Sequence, residues 1–287
     1  MLLKDREPDN SVVSSDGEMD KTRTASLTKI PYDLHIHTHL SACCQEKERQ
    51  RPAQILTLAE EMGVGTVGFA DHIWANPLIQ PSDWYRPQGK NQIARLREEL
   101  LSVTTTVRAL VGCEAETVGP GKIGMTKECA ATLDFVLLSC SHLHMKGFVE
   151  QPKSDAPADV ARHLVKLFEA GVRSGVATAI AHPFVPFGQI ERFDAIVSAV
   201  SDAEFLDIFG LAAQRGVALE VTTGYLVSPG GRFSQETPLR LLALAKKAGC
   251  RFTFGTDAHD PAGQRRLPEL MRLVEAVGIT QDDVLYV

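Results

Sequence analysis

The chain has 287 residues, 44% of them apolar, and a formal net charge of -6. A chain of this size buries roughly three quarters of its unfolded surface, so one large core is within reach and no second domain is required. The acidic balance argues against a generic nucleic-acid or membrane partner, and no apolar run approaches the roughly 18 residues of a membrane-spanning helix.

Residues 1–28 are polar and charged without a continuous apolar stretch. They are expected to form a disordered extension rather than a secretory signal, leaving 29–287 as the domain. Seven β-like runs follow, near residues 32–38, 64–72, 107–116, 134–142, 177–184, 218–223 and 251–259. Each is rich in aliphatic residues without clean polar alternation, as parallel strands covered on both faces should be. Helical patterns separate them at 52–62, 92–103, 158–175, 202–215, 237–248 and 263–277. Pro52 suits a first helical turn, and Gly63, Gly175, Gly216, Gly249 and Gly278 suit left-handed caps. Strand–helix alternation predicts right-handed crossovers and a parallel α/β sheet. Closure into a barrel is expected, because candidate ligands end six of the seven runs and a barrel gathers strand ends at one mouth.

Eight of the nine histidines fall where a strand-like run gives out: His35, His37, His39, His72, His142, His144, His182 and His259. Only His163 lies inside a helical pattern, where it reads as a surface residue. Glu114 and Asp257 occupy strand-end positions of the same kind. Imidazoles and carboxylates are the usual ligands of divalent transition metals. In the first run, His35 and His37 are two residues apart and share one side of a strand, so both can reach one ion. The sixth run, around Glu220, offers no ligand of comparable force. Six cysteines (Cys43, Cys44, Cys113, Cys129, Cys140 and Cys250) follow no disulfide spacing, as expected in a reducing cytoplasm.

The ordered series His35-Ile36-His37, Asp71-His72, Glu114, His142, His182 and Asp257-Ala258-His259 resembles the polymerase and histidinol phosphatase (PHP) family of metal-dependent phosphoesterases. The resemblance runs from about Tyr32 to His259. It implies a distorted seven-stranded (βα)7 TIM-like barrel holding two or three divalent ions (zinc, manganese or iron) and hydrolysing phosphate esters. By position, His35, His37, Glu114 and Asp257 would hold one ion, and Glu114, His142 and His182 a second. His72 and His259 would hold a third. Family members with that third site carry another ligand several residues after the H-x-H motif. Here Cys43 stands near that place, so Cys43 binds as thiolate, His39 substitutes for it, or only two ions are held.

Chemistry supports the same reading. Paired divalent ions lower the pKa of a bridging water from ~15.7 towards about 7 and neutralise charge on the phosphate. Asp33 and Asp71 abut ligands and are expected to orient imidazoles. Asp71 and Glu116 are also candidates for catalysis. Arg232, Lys146 and Arg265, in loops on the presumed catalytic side, are candidate phosphate cations, with Arg232 favoured because Pro229-Gly230-Gly231 precedes it. Trp74 and Trp84 would wall the pocket or plug the rim. The leading function is hydrolysis of a small phosphorylated metabolite, such as a histidinol-phosphate-like monoester. A phosphodiesterase or nuclease, and a non-catalytic metal-binding regulatory module, are the alternatives.

Overall fold

Short parallel strands, buried on both faces, form the centre of the protein, and the intervening helices cover them. The computed structural model describes residues 25–227 and 231–287. In chain order the strands are β1 (Asp33–Ile36), β2 (Thr66–Phe69), β3 (Arg108–Val111), β4 (Cys113–Gly119), β5 (Lys122–Ile123), β6 (Val136–Ser139), β7 (Ala179–Ala181), β8 (Ala218–Thr222) and β9 (Phe252–Gly255). The helices are α1 (Pro52–Glu61), α2 (Lys90–Leu100), α3 (Lys127–Ala130), α4 (Pro157–Arg173), α5 (Phe193–Ser198), α6 (Asp202–Gln214), α7 (Glu236–Lys247), α8 (Pro261–Gln264) and α9 (Met271–Val277).

Local chemistry accounts for the longer helices. Helix α4 starts with Pro157, whose fixed φ suits a first turn, and buries Val160, Ala161, Leu164, Leu167 and Phe168 at helical spacing. Helix α6 begins with a capping box, in which Ser201 accepts from the Glu204 amide and Glu204 reaches back to the Ser201 amide. The expected caps Gly63, Gly175, Gly216, Gly249 and Gly278 all have left-handed φ. The helix expected over 263–277 is broken into α8, a 3-10 turn at Leu267–Leu270, and α9. Pro268 lies in that turn and has no N–H to continue an α-helical ladder.

Strands β1, β2 and β3 form one parallel sheet, and β5-β4-β6-β7-β8-β9 a second, parallel except for the β4–β5 hairpin. Two seams connect them. At one, Ile36 bridges Ala258, and the His37 amide donates to the Ala258 carbonyl at 3.0 Å. At the other, His72 bridges Glu114, and the Ile73 amide donates to the Glu114 carbonyl at 3.1 Å. Both seams run through the segments that carry the candidate ligands.

The run expected as one strand over 107–116 is divided at Gly112. Residues before it pair with β2 and residues after it with β6. The Phe135 ring packs directly on this glycine: a Cβ on Gly112 would lie 2.5 Å from it, and one on Gly68 2.7 Å. The hairpin β4–β5, α3 and α5 were not foreseen, because each is too short to impose a periodic pattern.

Up to residue 24, the expected extension lies outside the described residues. Its last part does not behave as an extension: Ser26 bridges Thr280 and Leu27 is buried in the core. Among the described residues no helix is long and apolar enough to cross a membrane.

Gly112→Ala should therefore destabilise the fold by about 1–3 kcal/mol through overpacking against Phe135. Urea unfolding measures this directly, and an unchanged midpoint would contradict the role given to the ring.

Candidate metal centre

Glu114 lies at the centre of the site, near the start of β4 and only 1% exposed. Its two oxygens face different partners. Oε1 is 2.9 Å from His182 Nε2 and 3.7 Å from His142 Nε2. Oε2 is 3.4 Å from His35 Nε2, 3.5 Å from His37 Nε2 and 3.3 Å from His72 Nδ1. Asp257, from the loop after β9, completes the second side, with Oδ1 at 3.1 Å from His37 Nε2 and 3.4 Å from His35 Nε2. Ligand atoms of His35, His37, Glu114 and Asp257 thus form one compact group, and those of Glu114, His142 and His182 another. The structure brings together both sets that the sequence assembled, with Glu114 common to them.

Three of the rings, those of His35, His142 and His182, are held from behind. His35 Nδ1 is 2.7 Å from Glu220 Oε1, which turns Nε2 towards the carboxylates. Glu220 Oε2 also accepts the His182 amide at 2.7 Å. His142 Nδ1 is 2.7 Å from Glu116 Oε2, and Ser141 Oγ is 3.2 Å from His182 Nδ1. Carboxylates behind ligating imidazoles fix the tautomer and raise ring basicity. Glu220 was missed by reasoning from the sequence. Its signal was its place on β8 beside the strand of Asp257, but no neighbouring histidine marked it.

Backbone conformation adds to the positioning. His182 and Asp257 have φ of 31° and 56°, in the region non-glycine residues avoid. Such residues cost about 1–3 kcal/mol each and persist where surrounding structure holds them. Both belong to the ligand groups. At Gly255 any Cβ would meet Glu220 Oε1 at 2.1 Å, so glycine is required there for Glu220 to sit against His35.

Electrostatics divide the imidazoles. Burial lowers His72 well below the ordinary histidine range. Burial and the charge of His259 lower His37 to about 4. Both rings are therefore neutral and present lone pairs. Burial also opposes charge on His142, but the Glu116 carboxylate raises it to about 9. His35 is raised well above its usual value, against burial, by Glu220 and Asp257. Burial opposes ionisation of Glu114 as well, yet His72, His182 and His35 hold its carboxyl well below the usual range. His35 Nε2 is a buried atom without a hydrogen-bond partner. A divalent ion fits this donor set, since it supplies the positive charge that buried Glu114 and part-buried Asp257 require and takes the nitrogen lone pair.

Several expectations are corrected by the geometry. Asp71 does not face the cluster: its oxygens accept the Thr38 amide and hydroxyl, each at 2.6 Å. Asp33 binds backbone rather than imidazole, accepting the His35 amide at 3.1 Å and the Thr256 amide at 3.0 Å. Both staple loops that carry ligands. Glu116 orients His142 and accepts the Tyr85 hydroxyl at 3.2 Å, so it is a positioning residue. His39 points away and pairs with Glu99 at 3.2 Å, which removes it as a substitute for Cys43. A third group does form, but from His37, Cys43 and His259, while His72 turns to Glu114 and the Tyr85 hydroxyl. His163 is buried, with Nε2 at 2.6 Å from the Glu150 carbonyl.

Two cavities meet at the cluster. One of about 410 Å³ is lined by Cys43, His72, Trp84, Glu114, His142, Met145 and Phe187, among others. The other, about 630 Å³, contains His182, Asp257, Thr223, Arg232 and Arg266. Trp84 therefore walls the site, whereas Trp74 is buried against Tyr85 and Phe148. Arg232 reaches the rim, pairing with Glu191 at 3.1 Å; Ser228, Pro229 and Gly230 of its loop lie outside the described residues. Lys146 lines a separate pocket of about 180 Å³ beside His144 and Arg192. Arg265 turns outward to Glu61 at 3.4 Å, and its neighbour Arg266 takes the inward position.

Glu220→Gln keeps the shape behind His35 but removes the charge. Metal retention should weaken roughly 10–100-fold, the usual cost of losing such a partner. Competition with a chelator measures it, and unchanged affinity in a folded variant would refute the orienting role.

No family model and no curated protein sequence matches the chain. Among solved structures it is similar to HisK of Listeria monocytogenes, assigned as a histidinol phosphatase, with 15% identity and a TM-score of 0.55 over 81% of this chain and 96% of the other. It is also similar to a chain from the structures of YwqE from Bacillus subtilis and CpsB from Streptococcus pneumoniae, described as metal-dependent tyrosine phosphatases. There the identity is 16% and the TM-score 0.47, over 89% of this chain and 96% of the other. At these identities the likeness is one of fold. The chain shares the α/β fold of the Listeria structure, and the seven-stranded barrel expected from the sequence goes beyond what that likeness shows.

Proposed function

We propose that this protein is a metal-dependent phosphoesterase of the PHP family that hydrolyses a small phosphomonoester, with a histidinol-phosphate-like ester as the leading candidate. One observation carries the reading: the two oxygens of Glu114 are shared between two separate groups of imidazoles. A carboxylate so placed would serve both members of a metal pair. The two seams further support reading the sheets as one distorted seven-stranded barrel, in which β3 runs on into β4 and β5 is a hairpin arm.

His35, His37, Glu114 and Asp257 would hold one ion, and Glu114, His142 and His182 the other. Imidazole and carboxylate donors suit zinc, manganese or iron. When bound, the pair supplies an activated water at neutral pH and offsets the charge of the phosphate. The chain's own residues do the rest. Glu220, Glu116 and Ser141 hold the rings in register. Trp84, Met145 and Phe187 wall the 410 Å³ cavity and would exclude water around the organic part of the ester. That volume lies in the range of small-ligand sites, about 300–1,000 Å³. Arg232 and Arg266 would present guanidinium groups to phosphate oxygens from the adjoining cavity.

Metal-loaded protein assayed against a panel of phosphomonoesters should hydrolyse at least one, and chelator should abolish the activity. Absence of any chelator-sensitive hydrolysis would defeat the proposal. Glu114→Ala should reduce both bound metal and turnover to background. His163→Ala provides the contrast. It should cost about 1–3 kcal/mol of stability by stranding the Glu150 carbonyl, with turnover per folded molecule unchanged. Thermal or urea unfolding alongside the assay separates the two effects, and wild-type metal content in Glu114→Ala would contradict its role.

A further inference from the structure

A cavity of about 690 Å³ lies apart from the metal cluster and shares no lining residue with the two cavities there. Its floor is apolar, formed by Ile123, Met125 and Val176, all buried. Helix α4 supplies one wall. Lys166, Glu169, Ala170 and Arg173 recur at i, i+3, i+4 and i+7, a second stripe beside the one that enters the core. Lys127, from α3, lies along Gly175: a Cβ there would meet Lys127 Cε at 3.0 Å and Nζ at 3.2 Å. Lys127, Lys166 and Arg173 therefore face the single carboxylate of Glu169. Among the described residues neither lysine has a carboxylate within 4 Å, and Arg173 reaches Glu169 only at 3.9 Å.

The same cavity adjoins the segment that reaches the metal cluster. Asn76 lines it and donates from Nδ2 to the Ile123 carbonyl at 2.8 Å. Ala75 bridges Met125, and a Cβ on Gly124 would lie 2.7 Å from the Trp74 ring. Further along this segment Tyr85 donates to Glu116, and Trp84 walls the 410 Å³ cavity. We propose that the 690 Å³ cavity is a second ligand site, for a small organic dianion with an apolar body, connected to the metal centre through residues 74–85. Its volume lies in the range of small-ligand sites, about 300–1,000 Å³. Lys127, Lys166 and Arg173 would hold carboxylate or phosphate oxygens through charge-assisted hydrogen bonds, while the apolar body covers the floor. A ligand resting on Asn76 and that floor bears on the backbone that positions Trp84 and Tyr85. It couples to the metal centre to the extent that it prefers one arrangement of this segment. The site stands apart from the ester reading and does not depend on it.

Calorimetric titration of the full chain with phthalate and with phenylphosphonate tests the site, the two probes separating a carboxylate from a phosphate head group. At least one should bind with one-to-one stoichiometry, and benzoate, with a single charge, should bind roughly tenfold more weakly. Lys166→Met and Arg173→Met, with wild-type circular dichroism, should each raise Kd at least about tenfold, the cost of one charge-assisted contact. The chain has 2 tryptophans, Trp74 and Trp84, both on the connecting segment, so their emission should shift on binding. No binding of either dianion, or binding of wild-type strength in either variant, overturns the site. Binding with unshifted emission overturns its connection to the metal centre.

Discussion

A carboxylate with almost no access to water, faced by five imidazoles, is the constraint on which this structure depends. Glu114 cannot be solvated where it sits, and a buried charge without partners costs far more than one side chain can return. His35, His37, His72, His142 and His182 surround it within 3.7 Å. His35 and His142, raised by neighbouring carboxylates, compensate part of that charge, whereas burial keeps His37 and His72 neutral. Divalent ions would complete the balance, because they bring charge and use the lone pairs that neutral rings expose.

The surrounding fold is organised to hold these groups still. Asp33 ties β1 to the loop after β9, and Asp71 ties the segment after β1 to that after β2. Each is a buried carboxylate, and burial raises Asp33 to about 7 and Asp71 to about 6 despite the hydrogen bonds they accept. Neither reaches the cluster; both fix backbone from which ligands project. Glu220 and Glu116 act one layer closer, on the rings themselves. The strained φ angles of His182 and Asp257 fit the same pattern, with local conformational cost offset by the contacts that hold the site.

Much of this was legible in the sequence, and the exceptions are instructive. H-x-H on a strand, and single ligands at later strand ends, are local signals whose geometry follows from the two-residue period of a strand. They correctly brought His35, His37, Glu114, His142, His182 and Asp257 to one place. Ring orientation is not local. Glu220 was passed over because its partner His35 is 185 residues away. Asp71 stands next to His72 in the chain, yet its side chain turns to Thr38. Arg265 and Arg266 are adjacent, and only the helical path after β9 decides which faces inward. His163 looked like a surface residue because its carbonyl partner comes from a loop outside its helix. The need for glycine at position 112 had the same origin, since the ring packed on it belongs to Phe135, just before β6.

The most direct test is anomalous diffraction from crystals of the metal-loaded protein. The account predicts two ions on opposite sides of the Glu114 carboxylate, one oxygen to each, separated by about 3.5–4 Å. A single ion bound elsewhere, or a pair in which Glu114 contacts only one member, would contradict it.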